Sequence, residues 1–154
     1  VIIIGEGPAK QWFEERMDNA IFAGFQQGHD LGRAVASMDM LFNPSVTETF
    51  GNVTLEAMAC GLPVVAAKAT GSQSLVKDKE SGRLVTPGAI RDFADVLQLY
   101  CQDEVIRKTH GEAGERRADE FSWDQINHAV AETYIRLIRQ RQSGQSPIKQ
   151  AAIR

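Results

Sequence analysis

Two carboxylates, Glu48 and Glu56, stand eight residues apart on either side of a short predicted turn. Between them, the backbone N–H groups of residues 50–53 come at the start of a predicted helix, where they have no intrahelical partner and lie at the positive end of the helix dipole. Such a helix start binds anions, most often phosphate. Carboxylates repel phosphate but accept hydrogen bonds from hydroxyls. The order acid, amides, acid therefore suits the sugar, the diphosphate and the ribose of a nucleotide sugar.

The elements that must position these groups follow from apolar runs and chain breakers. Residues 40–42 form an apolar run that predicts a buried strand, which ends at the proline two residues later because proline cannot continue a central strand. Residues 53–60 have helix-forming composition, and the glycine and proline that follow predict the end of that helix. Glu48 is thus expected on the loop before the helix and Glu56 within about its first turn. Glutamates placed there only to complement the helix dipole are the alternative interpretation.

Residues 44–66 as a whole resemble the signature of the retaining glycosyltransferases of family 4, also described as glycosyl transferases group 1, which have the GT-B fold. Residues 1–8, 22–24 and 81–87 match other landmarks of that family in the right order. The resemblance spans about residues 1–139, and as a set these motifs are specific. It implies that the chain is the C-terminal, donor-binding domain of such an enzyme.

The resemblance also implies roles for individual residues. Glu48 would contact the donor sugar, and we assign it to catalysis because it could stabilise charge that develops there; Glu56 would bind the ribose hydroxyls. The other predicted donor-binding residues follow predicted strands or lie in turns near the donor: Gly5, Gly7, Gly24, Phe25, Leu31, Ser45, Thr49, Phe50, Gly51, Asn52, Val53 and Gly71. Of these, Gly24, Phe25 and Leu31 are the candidates for contact with the base.

Gly5 and Gly7 also invite comparison with a dinucleotide-binding fingerprint. The third glycine of G-x-G-x-x-G would fall at Lys10, so a nicotinamide cofactor is not favoured. On turn chemistry alone, a plain strand-to-helix turn explains the two glycines as well as a ligand does.

Five apolar stretches are each followed by helical sequence: 1–4, 20–24, 63–67 and 83–86 in addition to 40–42. Without tight hairpin signals between them, they predict an α/β fold with a doubly wound parallel sheet. The resemblance implies that this sheet is the Rossmann-like C-terminal half of a GT-B enzyme. Ligands of such sheets bind beyond the carboxyl ends of the strands.

Three predictions concern the helices. Ser72 is expected to cap a short helix that ends near Val76. Residues 104–120 are mostly charged and are expected to form a solvated helix near the surface. Ser122 and Gln125 have the S-x-x-Q form of a capping box, which predicts the start of a long final helix.

Composition limits the possible functions. The 154 residues are 43% hydrophobic and 24% charged, as in an ordinary globular domain. A net charge of −3 gives no basic field for nucleic acid. Cys60 and Cys101 have no metal or redox spacing, and no Asp/His ligand set is clustered, so no metal and no other cofactor is expected. No stretch approaches the roughly 20 apolar residues of a membrane span. We expect a cytoplasmic protein with at most peripheral contact with the inner membrane face.

The chain opens on a buried-strand pattern with no methionine before it, so we expect an N-terminally truncated piece of a larger protein. Residues 1–141 are predicted to form the nucleotide-sugar-binding domain and 142–154 a flexible tail. The resemblance implies that the Arg and Lys that grip the diphosphate lie upstream of Val1 and that the acceptor binds to a missing N-terminal domain. The chain alone is therefore expected to be inactive.

The full enzyme is predicted to be a hexosyltransferase that moves mannose or glucose from GDP-mannose or a UDP-hexose to a lipid or saccharide acceptor, because residues 49–56 look most like mannosyl- and glucosyltransferases. Two alternatives stay open. A non-catalytic nucleotide-sugar-binding partner module would have no need of Glu48. A sugar-nucleotide epimerase of GT-B type would turn over its donor without any acceptor.

Overall fold

A computed structural model describes residues 1–143, so most of the predicted tail, residues 144–154, lies outside the described residues. Strands and helices alternate as predicted: β1 (Ile2–Ile4), α1 (Lys10–Glu14), β2 (Ile21–Gly24), α2 (Gly28–Ala36), β3 (Leu41–Asn43), α3 (Asn52–Ala59), β4 (Val64–Ala67), α4 (Thr70–Leu75), β5 (Gly82–Val85), α5 (Ile90–Gln102), α6 (Glu104–Ala118) and α7 (Trp123–Gln142). A 3-10 turn, Asp119–Phe121, joins α6 to α7. Helix α7 includes Gln142, the first residue of the predicted tail.

All strand pairings are parallel, which confirms the predicted α/β class with a parallel sheet. The strands form two hydrogen-bonded groups, β1 with β2 and β3 with β4 and β5 in that order. Within residues 1–143 no pairing joins the two groups. Because strands within each group run in the same direction, their carboxyl ends meet at one edge of that group, where the ligand is expected.

The core lies on both faces of the three-stranded group, as the alternation of side chains along β4 requires. Val64 and Ala66 pack with Met58 of α3 and with α2 and α6, whereas Val65 and Ala67 pack against α5 on the other face. All four β4 residues are fully buried. The two faces therefore fix β4 and its neighbours firmly, and the loops at their carboxyl ends are held on a rigid base.

Helix α6 is more buried than predicted. Its two buried glycines, Gly111 and Gly114, face α3 and the turn after it. A Cβ atom at Gly111 would lie 2.0 Å from the carbonyl oxygen of Gly61, and one at Gly114 would lie 3.6 Å from Met58. The prediction of a solvated helix is thus wrong for this face. Helix α6 approaches α3 closely at its glycines, and glycines do not produce the apolar periodicity by which a buried helix face is predicted from sequence.

Two parts of the chain have little packing of their own. No residue among positions 1–34, which include β1, α1 and β2, is buried. Helix α7 buries none of its residues either, and Trp123 is 77% exposed. Ser122 does accept a hydrogen bond from the Gln125 N–H at 3.4 Å, which confirms the predicted helix start.

On the α5 side of the core, the hydroxyl of fully buried Tyr100 lies 2.7 Å from Nδ1 of His110. Burial lowers the pKa of His110, and the positive charge of Arg83 lowers it further, while Asp78 and the backbone of Lys79 act in the opposite direction. The folded protein therefore holds His110 neutral at pH values where the unfolded chain begins to bind a proton.

This lowered pKa predicts a pH-dependent stability. Because the unfolded state binds more protons, the contribution of neutral His110 is fully present above the ordinary pKa of 6.5 and is lost as pH falls through the folded pKa. We expect His110→Gln to lose less stability than the wild type when urea unfolding is measured at pH 7.5 and then at about pH 5.5. His29→Gln, at an exposed position, is the control. Equal losses in the wild type and His110→Gln would contradict the assignment.

Candidate functional site

The connection from β3 to α3 carries most of the predicted site. Strand β3 ends at Asn43, whose side chain accepts a hydrogen bond from the Ser45 N–H at 3.2 Å and donates one to the Thr54 hydroxyl at 3.3 Å. Thr54 lies on α3 and is fully buried. One amide side chain thus ties both ends of the loop to the sheet, and the loop has a defined course although it lacks regular structure.

Glu48 is half-buried on this loop and is held through its main chain. The Gly71 N–H, in the first turn of α4, donates a hydrogen bond to the Glu48 carbonyl oxygen at 3.1 Å. A Cβ atom on Gly71 would lie 2.8 Å from that oxygen and 3.1 Å from Cγ of Glu48. Glycine at position 71 is therefore what lets α4 approach the Glu48 segment this closely.

Gly51 forms the turn that starts α3. Its φ of +99° is a conformation that residues with a Cβ rarely adopt, and a Cβ there would lie 3.2 Å from Leu75. No side chain caps the helix start, and Asn52 and Val53 are exposed. The first backbone N–H groups of α3 are thus open to a ligand at the positive end of the helix dipole, which suits an anion.

Glu56 is exposed one turn further along α3. Within residues 1–143, neither Glu48 nor Glu56 is part of an ion pair. The described residues therefore contain no salt bridge that would give either carboxylate a structural role. The structure therefore brings together the carboxylates, the open helix start and Gly71 around one loop. Thr49 and Phe50, also on this loop, are exposed.

Of the other predicted donor-binding residues, all but Leu31, which is on α2, lie at or just beyond the carboxyl ends of β1 and β2. The Gly5 N–H donates to the Gly24 carbonyl oxygen at 2.8 Å, and a Cβ on Gly24 would lie 3.2 Å from a carboxylate oxygen of Glu6. Gly7 has open space around it, and Phe25 is 70% exposed. Among the described residues, no hydrogen bond joins this group to the Glu48 loop. Leu31, one of the predicted base contacts, packs against the core cluster beneath α2.

The prediction that Ser72 caps α4 is wrong. The helix begins at Thr70, its N-cap residue is Ala69, and Ser72 lies inside it. Ser72 is fully buried and its hydroxyl has no hydrogen-bond partner within the described part of the chain. No side chain caps the start of α4. Instead, the N–H of Gly71 in its first turn donates to the Glu48 carbonyl oxygen.

Sequence reasoning missed several residues that support the site. The side chain of Asn43 braces the loop, and an asparagine just before proline is a turn signal that could have indicated it. Phe121 lies edge-on to Phe50 with ring centroids 6.0 Å apart, and Arg117 contacts the end of α4. No sequence signal connects these two with a loop some seventy positions earlier.

Elsewhere in the described part of the chain, no other group of residues competes with this site. Within residues 1–143, no group of three or more His, Cys, Asp or Glu side chains is placed to hold a metal ion. An open groove runs along α7 beside Thr133, Arg136 and Arg139, but it is the surface of one exposed helix and contains no predicted site residue. Of the helices described, none has both the length and the apolar character needed to cross a membrane.

Comparisons with known proteins agree with this geometry. The family model for glycosyl transferases group 1 matches residues 1–103. The sulfoquinovosyl transferase SQD2 of Arabidopsis thaliana is 36% identical over 128 residues, which cover 80% of this chain and 25% of the plant protein. A D-inositol 3-phosphate glycosyltransferase of Saccharomonospora viridis is 33% identical over 146 residues, which cover 87% of this chain and 34% of that protein. The chain thus spans only about a quarter to a third of the length of these relatives.

A solved structure is similar over most of the chain. HepE of Anabaena in complex with UDP matches with a TM-score of 0.78 and 30% sequence identity, covering 88% of this chain and 40% of HepE. The same protein has also been solved in complex with UDP-glucose. The fold described above is therefore one that occurs in a protein solved with a nucleotide sugar.

Proposed function

The chain belongs to the glycosyl transferases group 1 family, with the fold of a GT-B domain, and on that premise we propose that it is the donor-binding domain of a retaining hexosyltransferase of family 4. The observation that carries this proposal is the loop between β3 and α3. This loop and α3 carry, in succession, a half-buried carboxylate, an open helix start with Gly51 at φ +99°, and a second carboxylate. A nucleotide sugar has groups that match each of these in turn.

The proposed roles follow from the chemistry of each group. The N–H groups of Asn52 and Val53 bind the diphosphate, which needs donors and a positive dipole. Glu56 accepts hydrogen bonds from the ribose hydroxyls. Glu48 accepts hydrogen bonds from the sugar and stabilises positive charge that develops at its anomeric carbon during transfer. No metal or other cofactor takes part in this proposal, because cationic groups supplied by the rest of the enzyme neutralise the diphosphate.

For the donor we propose a UDP-hexose or GDP-mannose. The complexes of HepE with UDP and UDP-glucose support the uridine nucleotide, whereas the run of residues 49–56 resembles mannosyltransferases as well as glucosyltransferases. We propose a lipid or saccharide as acceptor, bound mainly by a domain outside this chain, and a cytoplasmic enzyme with at most peripheral contact with the inner membrane face. On this proposal the chain alone binds donor weakly and transfers nothing.

The test is calorimetric titration of the chain with UDP, GDP and ADP at protein concentrations that detect millimolar affinity. Loss of a charge-assisted hydrogen bond costs about 1.5–3 kcal/mol, so we expect Glu56→Ala to weaken binding of the preferred nucleotide roughly ten- to a hundredfold. Glu112→Ala, which removes an exposed glutamate from α6, is the matched control and should bind as the wild type does. Equal affinity of Glu56→Ala and the wild type would rule out the ribose role.

A further inference from the structure

Arg117, near the end of α6, holds the end of α4 across 42 positions of sequence. Its Nη2 donates to the Ser74 carbonyl oxygen at 2.8 Å, and its Nε donates to the Leu75 carbonyl oxygen. Both acceptors belong to the last turn of α4, where carbonyl groups lack intrahelical partners and the helix dipole is negative. The planar guanidinium thus satisfies two backbone groups at once and places a positive charge where the dipole favours it.

The Arg117 side chain is also linked to the candidate site through Phe121. The guanidinium carbon of Arg117 lies 5.5 Å from the centre of the Phe121 ring, and Phe121 in turn lies edge-on to Phe50. Glu120 pairs with Arg117 at 3.2 Å from the solvent side. The Arg117 side chain is only 19% exposed, so its orientation is fixed by these neighbours.

Helix α4 has six residues, too few for a helix that is stable on its own, so its position depends on tertiary contacts. At its first turn Gly71 binds the Glu48 carbonyl oxygen; at its last turn Arg117 binds the helix to α6. Any shift of α4 therefore moves the main chain of Glu48. Phe121 packs against Phe50 of the same loop, so the loop is held at a second point.

We propose that Arg117 is a positioning residue for the nucleotide-sugar site: it fixes α4 and, through Gly71, the Glu48 segment, without touching the ligand. The inference rests on the proposed function for its effect on binding, but its effect on the loop is independent of that function. It makes α6 and the 3-10 turn that leads into α7 part of the support of the site.

The experiment compares Arg117→Gln with Arg116→Gln, a change of the same kind at an exposed neighbour that makes no side-chain hydrogen bond or ion pair within the described residues. Amide hydrogen exchange is measured without nucleotide, and UDP and GDP titrations follow. We expect Arg117→Gln to raise exchange about tenfold at the Gly71, Gln73 and Val76 amides, the first of which donates to the Glu48 carbonyl oxygen, and to weaken nucleotide binding roughly three- to tenfold. Arg116→Gln should do neither. Arg117→Lys, which keeps the charge but not the planar fork, should fall between the wild type and Arg117→Gln.

Two results would overturn the proposal. One is exchange at the Gly71 amide that is the same in Arg117→Gln and Arg116→Gln. The other is an increase spread evenly over β4, α5 and α4, since a general loss of stability would then explain the variant. In that case the same exchange measurement is made on Arg117→Lys, which is expected to be the more stable variant. If the wild type binds neither nucleotide, the proposed function is in doubt, but the exchange result still decides the role of Arg117.

Discussion

Replacing Gly111 by alanine is expected to destabilise the domain by about 3 kcal/mol or more, or to prevent folding. The added Cβ would lie 2.0 Å from the Gly61 carbonyl oxygen, which is part of the main chain and cannot move aside as a flexible side chain could. Helix α6 would have to shift away from α3 and the turn after it. An alanine in a helix gains about 1 kcal/mol over glycine, too little to offset that shift.

Gly114, one turn later on the same buried face, provides the matched control. An alanine Cβ there would make ordinary contacts, the nearest at 3.6 Å from Met58. We expect Gly114→Ala to change the free energy of unfolding by less than about 1 kcal/mol, and to raise it if anything, because alanine favours the helix. Urea unfolding followed by circular dichroism measures both variants. Similar stabilities of the two variants would show that α6 does not pack on α3 as closely as described.

Gly111 also shows what the sequence could not reveal. The strands were predictable because runs such as residues 63–67 are apolar, β-branched in part and bounded by turn residues, and local composition settles such elements. The packing of α6 against the end of α3 depends on the absence of a side chain at Gly111, some fifty residues further along the chain and on the same face as Gly114. Neither residue adds to an apolar periodicity, so the charged composition of 104–120 suggested a solvated helix. The division of the strands into two groups is likewise a matter of tertiary pairing.

The candidate site, too, could be predicted from the sequence only in part. Glu48, Gly51 and Glu56 could be predicted because a carboxylate, a glycine turn and a helix start are local features with a fixed spacing. The supports of the loop could not. Asn43 and Arg117 act through hydrogen bonds to backbone groups and to a buried hydroxyl. Such a bond depends on where the side chain lies in the folded protein, and it leaves no repeating pattern in the sequence.

The largest effect on binding is expected from Gly71→Ala, although position 71 has no side chain to contact a ligand. The new Cβ would lie 2.8 Å from the Glu48 carbonyl oxygen and 3.1 Å from Glu48 Cγ, so α4 and the Glu48 segment must separate and their hydrogen bond lengthens. That movement displaces Glu48 and the helix start together. Since each charge-assisted hydrogen bond contributes about 1.5–3 kcal/mol, loss of two weakens binding of the preferred nucleotide about a hundredfold or more.

Gly32→Ala is the control for replacing a glycine in a helix, because a Cβ at Gly32 in α2 meets nothing within 4 Å. It should bind nucleotide as the wild type does. Circular dichroism of Gly71→Ala must show a folded domain, which we expect because the three atoms nearest to the added Cβ all belong to Glu48, on the loop, and none to a strand or to another helix. A folded Gly71→Ala that binds nucleotide as tightly as the wild type would mean that the Glu48 segment does not need α4 in order to bind. Binding lost in Gly71→Ala but kept in Gly32→Ala would instead show that the precise approach of α4 to the loop, and not only the two carboxylates, makes the site.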